Sequence, residues 1–440
     1  MHQTKLFTKT KRETPKDETS INAKLLIRGG FIHKEMAGVY SFLPLGLIVL
    51  NKIIQIIREE MNAIGGQEIL MSSLQDPAVW KASGRWDDKV VDSWFKTKLV
   101  NGSEVGLSFT HEEPLARLMT SHINSYKDLP CFVYQFQTKY RNEKRAQGGL
   151  LRTREFMMKD LYSFTADDSQ LDEFYELAKQ AYTKIFDRLG IGEKTYFTLA
   201  SGGSFSKYSH EYQTVCEAGE DRIYIDKEKG TAINKEIYGE EGFSGDTPKQ
   251  TNAFRGVTRK EKDKTAEFVN SIEVGNIFKQ GTRFTEPMRL FFTDEDGSKK
   301  PVIAGAYGIG VGRLMGTIVE LCHDENGIIW PENIAPFKYH ILCDNNHPEA
   351  VKQSNVLYAK LISEGNDALL DDREESLAVK IKDADLIGCP TRIIVSEKSL
   401  RQGGAEVKKR EESFGETPLK ARDGFGVSPR KKPICVKIHS

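Results

Sequence analysis

Charged side chains cluster between residues 131 and 164, where two aromatic and β-branched runs flank a polar loop. The cluster consists of Arg141, Glu143, Lys144, Arg145, Arg152 and Arg154. A guanidinium is a planar fork of donors that can hold a phosphate through two hydrogen bonds, and a carboxylate can accept from an adenine amino group. Arg141 and Glu143 are two positions apart, which places them on one face if a strand continues through them. The cluster predicts a nucleotide phosphate site, with a set of surface salt bridges as the alternative.

Two shorter segments carry weaker signals. The glycine run 305–313 (GAYGIGVGR) lacks the context of a dinucleotide or phosphate loop and predicts a glycine-rich strand that leads into a helix. Arg313 lies at that junction, where it could reach an anion. In the segment 109–114 (FTHEEP), Thr110 and two glutamates could accept hydrogen bonds from an ammonium group, or Thr110 could cap a helix with Glu113 at its third position.

The composition limits the kinds of protein that can present these groups. The chain has 440 residues, 39% apolar and 29% charged, which is typical of a globular protein of two or three domains. Its 63 basic and 63 acidic residues give no net charge, so a polyanion must be bound by a local patch. No apolar run is long enough to span a membrane, and the start of the chain does not resemble a targeting signal, so we expect a cytoplasmic protein. The six scattered cysteines predict neither disulfides nor a zinc site.

The elements that must position the charged groups are visible in the periodicity. Apolar residues at three- and four-residue spacing predict a helix over residues 45–64, followed by a short strand at 67–74. Antiparallel strands are predicted at 131–142 and 155–164, and a helix at 169–189. Residues 227–264 are polar and predict a small surface insertion. Beyond a hinge at 332–337, alternating strands and helices predict a small α/β domain with a mostly parallel sheet.

Several segments occur in the order and approximate spacing of a class II aminoacyl-tRNA synthetase: GVYSFLPLG before the long helix, FTHEE, YRNEKR with RTREF, GAYGIGVGR and HDENGIIWP. From about residue 7 to about residue 415 the chain resembles the bacterial and mitochondrial type of prolyl-tRNA synthetase. The resemblance implies an α+β class II catalytic domain, an antiparallel sheet with helices, over residues 1–337. It also implies a small α/β anticodon-binding domain with a basic C-terminal tail over residues 338–440.

The resemblance implies that L-proline is activated with ATP and then transferred to tRNA(Pro). Arg141 would bridge the α-phosphate and the amino acid carboxylate, and Arg141 and Arg313 are the implied catalytic residues. The implied ATP ligands are Arg141, Glu143 on the adenine amino group, Phe156 on the adenine ring, Arg152 and Arg313 on the β- and γ-phosphates, and Gln213 and Thr214. Mg²⁺ would bridge the phosphates of ATP, without a metal site made by the protein alone.

The proline site follows from the same resemblance. Proline is a secondary ammonium, and Thr110 and Glu112 match the acceptors of the family, with Arg141 on the carboxylate. Phe164 would form an apolar wall, and His210 aligns with a segment beside the pocket. The family also implies a homodimer through the first motif's helix, in agreement with the apolar segment 45–64.

Other consequences of the resemblance are less direct. The stretch after DDRE departs from the family pattern, so Arg373, Lys380 and Lys382 are only candidates for tRNA binding. Residues 165–304 leave no room for the editing domain of many bacterial relatives, so we predict no hydrolysis of alanyl-tRNA in cis. A catalytically silent tRNA-binding or regulatory protein, and the same chemistry on another amino acid, are the alternatives.

Overall fold

The structure is a computed structural model that describes residues 1–203, 208–226, 231–238, 268–411 and 434–436. The chain divides into two compact units. We call them the central unit, Glu35–Tyr40 with Ile53–Thr317, and the terminal unit, which comprises Met1–Lys34, Ser41–Lys52 and Ile318–Ser440.

Helices and strands alternate along most of the described chain. The α-helices found in these residues are α1 (Ile21–Arg28), α2 (Pro44–Ala63), α3 (Pro77–Ala82), α4 (Glu112–Met119), α5 (Asp168–Arg188), α6 (Val311–Leu321), α7 (Pro348–Ser363), α8 (Leu377–Ile387) and α9 (Glu397–Arg401). The strands are β1 (Ile32–Met36), β2 (Val39–Phe42), β3 (Gln67–Glu68), β4 (Leu74–Gln75), β5 (Lys96–Lys98), β6 (Glu104–Leu107), β7 (Cys131–Tyr140), β8 (Glu155–Thr165), β9 (Thr195–Ser201), β10 (Tyr208–Val215), β11 (Asp221–Asp226), β12 (Thr231–Asn234), β13 (Phe268–Gly281), β14 (Phe291–Thr293), β15 (Lys299–Pro301), β16 (Ile303–Gly310), β17 (Tyr339–Cys343), β18 (Ala368–Asp371), β19 (Thr391–Val395), β20 (Ala405–Lys409) and β21 (Ile434–Val436).

The central unit is built on a nine-stranded sheet in the order β10-β9-β12-β11-β13-β16-β8-β7-β3, in which β10 also pairs with β13. Strands β13, β16, β8 and β7 are antiparallel neighbours. The pairing of β7 with β8 confirms the two antiparallel strands predicted around the charged loop. Strand alternation gives this sheet two faces with different roles.

One face of the sheet is covered by α5. Asp167 caps the helix by accepting from the Gln170 amide, and residues spaced three and four apart bury a continuous stripe. Phe174 of that stripe stacks on Phe132 of β7 at 3.7 Å between ring centroids. A Cβ on Gly275 of β13 would lie 3.0 Å from the Tyr182 ring, so the close approach of helix and sheet requires glycine there. The opposite face is therefore left for the charged loop.

The terminal unit contains a five-stranded sheet in the order β18-β17-β19-β20-β21. Strands β18, β17 and β19 are parallel, as predicted, whereas β20 and β21 are antiparallel additions. A buried ion pair supports this unit, because Arg410 donates through two nitrogens to the Asp324 carboxylate at 2.6 and 2.7 Å. Outside 434–436, the basic tail after residue 411 lies outside the described residues.

Two sequence predictions differ from the structure. Residues 67–74 do not form one strand, since only the two-residue strands β3 and β4 occur there. The predicted insertion at 227–264 is described only at 231–238, and β12 within it pairs with β9 and β11 of the sheet. The apolar residues of α2 are largely buried within the chain, and the homodimer contact inferred for this helix stays a prediction. Those buried are Leu45, Val49, Leu50, Ile53, Ile54, Ile56, Ile57 and Met61.

Candidate active site

A cleft of about 580 Å³ lies on the sheet face opposite α5, at the end of the charged loop. Its walls include Arg141, Glu143, Arg152, Phe156, Glu273 and Arg313. An adjoining cavity of about 780 Å³ shares Arg141, Arg152 and Arg313 with it and extends toward Glu220 and Asp221. The structure thus brings together arginines that are up to 172 positions apart in the sequence.

Arg141 follows directly after β7 and is fixed through its backbone, because its amide donates to the Arg154 carbonyl oxygen at 2.8 Å. Its guanidinium carbon lies 4.9 Å from the Phe109 ring and 5.3 Å from the Phe156 ring. No described residue accepts a hydrogen bond from the side chain, and its Nε is buried. Burial and the positive charge of Arg313 lower the pKa of Arg141. A partly buried guanidinium with uncommitted donors within electrostatic reach of a second guanidinium is suited to an anion.

Glu143 and Arg152 form the outer part of the cleft. Nε and Nη2 of Arg152 donate to one oxygen of Glu143, Oε2, at 3.0 and 2.8 Å, while Nη1 donates to Glu220 at 2.9 Å. Glu143 Oε1 accepts no hydrogen bond from a described residue. Arg141 and Glu143, which were predicted to share one face of a strand, both lie beyond the end of β7 at Tyr140, so the loop and not strand alternation positions them.

Arg313 is the third residue of α6, at the junction that the glycine run predicted. Its Nε donates to the Leu151 carbonyl at 2.9 Å, and Nη1 donates to the carbonyl and carboxylate of Glu273 at 2.9 and 3.2 Å. Leu151 belongs to the charged loop and Glu273 to β13. These bonds hold the guanidinium in the cleft with Nη2 directed to no acceptor of the described chain.

Thr110 and Glu112 lie at the start of α4, and both are buried. The Thr110 hydroxyl donates to Glu112 at 2.6 Å, so the two acceptors predicted for an ammonium group are adjacent. His111, rather than Thr110, is the N-cap residue, which contradicts the helix-cap interpretation of this segment. The charge of Glu112 raises the pKa of Arg141, which indicates that the acceptors lie within electrostatic reach of the cleft.

Phe164 and His210 differ in their relation to this site. Phe164 is 2% exposed and belongs to the apolar cluster that contains Phe109 and Ala306 on the cleft side of the sheet. His210 lies on the opposite face, where its Nδ1 is 2.7 Å from the Tyr175 hydroxyl of α5. The position predicted for His210 beside the proline pocket is therefore not found.

Of the two ATP ligands predicted on β10, Gln213 lies on the cleft side and Thr214 does not. Thr214 has no exposed surface and shares a hydrogen bond with Thr195 at 2.9 Å, away from the cleft. Gln213 lies on the cleft side, and its amide nitrogen donates to Glu211 at 2.9 Å and to Asp221 at 2.8 Å. Burial and the nearby Glu273 raise the pKa of Glu211 to about 9. Glu273 and Asp221 were not predicted from the sequence, although an acidic residue within the apolar run SIEVGNIF was an available signal for Glu273.

The predicted tRNA-binding residues of the terminal unit have unequal access to solvent. Lys380 has no exposed surface and donates to the carbonyls of Cys343 and Asp371 at 2.7 and 3.1 Å, so it is not available to a phosphate. Arg373 is bonded to the Asp371 carboxylate at 2.6 and 2.8 Å. Lys382 is exposed. Of the three, Lys382 has the solvent exposure that a contact with a tRNA phosphate requires.

The described residues contain neither a metal-binding cluster nor a helix that could cross a membrane. No group of three or more His, Cys, Asp and Glu side chains in this part of the chain is arranged to hold a metal ion. None of the described helices combines the length and the apolar character needed to cross a membrane.

The chain is similar to known proteins over most of its length. The family described as "tRNA synthetase class II core domain (G, H, P, S and T)" matches residues 95–322, and the family described as "Anticodon binding domain" matches residues 337–418. The proline–tRNA ligase of Rhodopseudomonas palustris (strain BisA53) is 37% identical over 431 residues, which cover 93% of this chain and 96% of the relative.

A second relative is longer. The proline–tRNA ligase of Thermotoga neapolitana is 33% identical over 545 aligned positions, covering 93% of this chain and 94% of the relative. Because this chain has 440 residues, the Thermotoga protein contains segments without a counterpart here.

Two solved structures share the fold. The prolyl-tRNA synthetase of Giardia lamblia in complex with prolyl-adenylate superposes with a TM-score of 0.71 and 18% identity, over 88% of this chain and 72% of that chain. The prolyl-tRNA synthetase of Cryptosporidium parvum complexed with halofuginone and AMPPNP gives a TM-score of 0.71 and 14% identity over the same shares.

Proposed function

This chain belongs to the proline–tRNA ligases, ATP-dependent ligases of class II, and on that premise we propose which of its residues carry the reaction. The cleft around Arg141 binds ATP, and the adjacent pair Thr110 and Glu112 binds the ammonium group of L-proline. The observation that carries this assignment is the uncommitted guanidinium of Arg141, which is within electrostatic reach of both Glu112 and the other cleft arginine, Arg313.

The first step joins the proline carboxylate to the α-phosphorus of ATP and releases diphosphate. The carboxylate is already an anion at neutral pH, so no general base is needed and catalysis consists of alignment and charge neutralisation. Arg141 can donate to both reacting groups at once, because its fork has no other acceptor. The secondary ammonium has two N–H donors, which match the oxygens of Thr110 and Glu112.

The remaining ATP contacts follow from the cleft walls. Glu143 Oε1 accepts from the adenine amino group, while Oε2 keeps its bonds to Arg152. Phe156 offers a ring face to adenine, and Arg152 and Arg313 bind the β- and γ-phosphates. To do so, Arg152 exchanges its partly exposed partner Glu220 for phosphate, and such exposed pairs are worth only about 0–1 kcal/mol.

Magnesium accompanies ATP in this proposal. Mg²⁺ is bound by carboxylate and phosphate oxygens together and keeps several waters. Glu273 and Asp221 line the joined cavities, and the side-chain oxygen of Gln213 beside them is buried without a partner among the described residues. Glu273 and Asp221 would hold the ion, which supplies positive charge to the triphosphate. No zinc is required.

We also propose the domain boundaries, the oligomeric state and the cellular location. Residues 1–337 form the catalytic domain and residues 338–440 the anticodon-binding domain, which binds tRNA(Pro) with Lys382 as a contact. The protein is a cytoplasmic homodimer. Since the apolar side of α2 is already buried, the exposed Leu70 and Leu74 are better candidates for the dimer contact, and light scattering after size exclusion would test the mass.

Editing in cis is absent in our proposal. A pocket distinguishes substrates that differ by one methylene by only about 1–3 kcal/mol, so alanine would be charged at a low rate and not removed. Incubation with alanyl-tRNA that carries the proline anticodon tests this, and rapid enzyme-dependent deacylation would contradict it.

Proline-dependent ATP–diphosphate exchange tests the assigned reaction. We expect exchange with proline and none with the other standard amino acids apart from weak activity with alanine. Silence with every amino acid would favour a non-catalytic tRNA-binding protein, and strong exchange with another amino acid would show that Thr110 and Glu112 are misassigned.

A further inference from the structure

Behind the loop that carries Thr110 and Glu112 lies a buried network of Lys139, His111 and Asp160. Lys139 has no exposed surface, and its ammonium group donates to Asp160 Oδ2 at 2.9 Å and to His111 Nδ1 at 2.7 Å. Gln135 and Tyr162 donate to the same carboxylate oxygen at 2.9 and 3.0 Å. A buried lysine is costly unless it is paired in this way.

The hydrogen-bond roles determine the state of His111. A lysine ammonium can only donate, so Nδ1 of His111 must accept and the ring proton lies on Nε2, which donates to the Ser72 carbonyl at 3.1 Å. Burial and the positive charge of Lys139 lower the pKa of His111 to about 4. At neutral pH the network is therefore an ion pair with a neutral imidazole of defined tautomer.

The same network also holds the backbone of the loop. The His111 amide donates to the Tyr162 hydroxyl at 3.3 Å, and that hydroxyl in turn donates to Asp160. His111 lies between Thr110 and Glu112 in the chain, so its ring and its amide together restrict the position of both acceptors. On the other side, Arg85 approaches Glu112 at 3.7 Å and Glu113 at 3.3 Å.

Lys139 is two residues before Arg141 at the end of β7. One strand end therefore carries the cation that fixes the acceptor loop and the guanidinium proposed to bind the substrate carboxylate and α-phosphate. We infer that the Lys139–His111–Asp160 network is a positioning device that sets the distance between the ammonium acceptors and Arg141. This inference rests on the proposed function of Thr110, Glu112 and Arg141.

The test is His111→Phe, which keeps an aromatic ring but removes both side-chain hydrogen bonds. Because the loop then loses both side-chain bonds that fix its acceptors, we expect a rise of roughly tenfold or more in the KM for proline in ATP–diphosphate exchange. The KM for ATP should change less than about threefold, because Lys139 keeps Asp160 and the cleft is unaffected. His111→Asn, which can still accept from Lys139, should recover most of the proline affinity. His111→Leu replaces the Phe variant if that variant does not fold.

Lys159 provides a matched control. It is a fully buried lysine on β8, but on the α5 face, where it donates to the Tyr182 hydroxyl at 2.7 Å and the Tyr307 carbonyl at 2.9 Å. Lys159→Met should lower the unfolding midpoint without changing the KM for proline. An equal rise in the proline KM in this variant would overturn the inference, because general destabilisation would then explain both results.

Inhibition by cyclopentanecarboxylate separates positioning of the acceptors from deformation of the pocket, since this compound has the ring and carboxylate of proline but no ammonium. We expect its inhibition constant to stay within about twofold in His111→Phe while the proline KM rises. An unchanged proline KM, or parallel losses for both compounds, would refute the positioning role. Absence of proline-dependent exchange in the unmodified enzyme would instead refute the proposed function.

Discussion

Replacement of Arg141 by leucine should abolish most activity without loss of stability. In our assignment the guanidinium makes charge-assisted hydrogen bonds to the proline carboxylate and to the α-phosphate. Each such bond is worth about 1.5–3 kcal/mol, so two of them contribute roughly 3–6 kcal/mol to the transition state. Each 1.36 kcal/mol is tenfold in rate, so kcat/KM for exchange should fall by roughly 10²–10⁴-fold.

The same substitution should leave the stability of the fold unchanged or raise it. The Arg141 side chain donates to no described acceptor, its Nε is buried, and its pKa is lowered by burial and by Arg313. Leucine removes this desolvated charge and can pack between the rings of Phe109 and Phe156. We therefore expect the urea midpoint of Arg141→Leu to equal or exceed that of the unmodified chain.

The assay is proline-dependent ATP–diphosphate exchange beside urea unfolding, with Arg145→Leu as control. Arg145 belongs to the same loop but is exposed and does not line the cleft, so its replacement should leave exchange within about threefold. Retention of more than a tenth of the activity in Arg141→Leu would show that the guanidinium does not contact the reacting groups. A clear drop in the midpoint would show that Arg141 is structural.

Three further predictions concern Glu143, the pair Lys380 and Lys382, and Glu113. Glu143→Gln should raise the KM for ATP roughly tenfold and leave that for proline unchanged, because an amide can present its own N–H₂ to the adenine amino group; a selective effect on proline would contradict this. Lys380→Met should lower the urea midpoint, because the buried carbonyls of Cys343 and Asp371 lose their donor. The KM for tRNA should rise only in Lys382→Met, where the replaced side chain is exposed. A rise in the KM for tRNA in Lys380→Met without a lower urea midpoint would restore Lys380 as a tRNA ligand. Burial is the main cause that raises the pKa of Glu113 to about 7, so the stabilisation from its proton is complete below about pH 4.5 and is lost as the pH rises through 7. In urea unfolding, the free energy of unfolding of Glu113→Gln minus that of the unmodified chain should accordingly increase between pH 5 and 8. A decrease of this difference over the same range would refute the prediction.

The convergence of Arg141 and Arg313 could be anticipated from the sequence, but only through the order of the motifs. Their meeting depends on β16 pairing with β8, which places the start of α6 beside the charged loop. Strand pairing between segments about 140 positions apart leaves no local trace in the residues. The loop itself was recognisable, because two aromatic runs flank a short stretch that holds four arginines.

The predictions for His210 and Lys380 were wrong about the face of the sheet and about burial, respectively. Alternation along β10 shows that His210 and Glu211 point to opposite sides, but the sequence does not tell which side is covered by α5. Lys380 resembles an exposed cation in sequence, and its burial depends on carbonyls contributed by β17 and β18. The apolar run of α2 predicts a covered surface without distinguishing the chain's own core from a partner subunit.

Carboxylates make the clustering of arginines in the cleft possible. Glu143 and Glu220 flank Arg152, and Glu273 binds Arg313, so most of the positive charge is balanced within the protein. A triphosphate brings the same kind of oxygen acceptor, and Arg152 and Arg313 can transfer to it without passing through an unpaired state. Arg141 differs because no described carboxylate bonds to it. Nearby carboxylates offset part of its desolvation, but its guanidinium gains hydrogen-bond acceptors only when the substrate carboxylate and the α-phosphate are present, which concentrates binding energy at the reacting atoms instead of the distal phosphates.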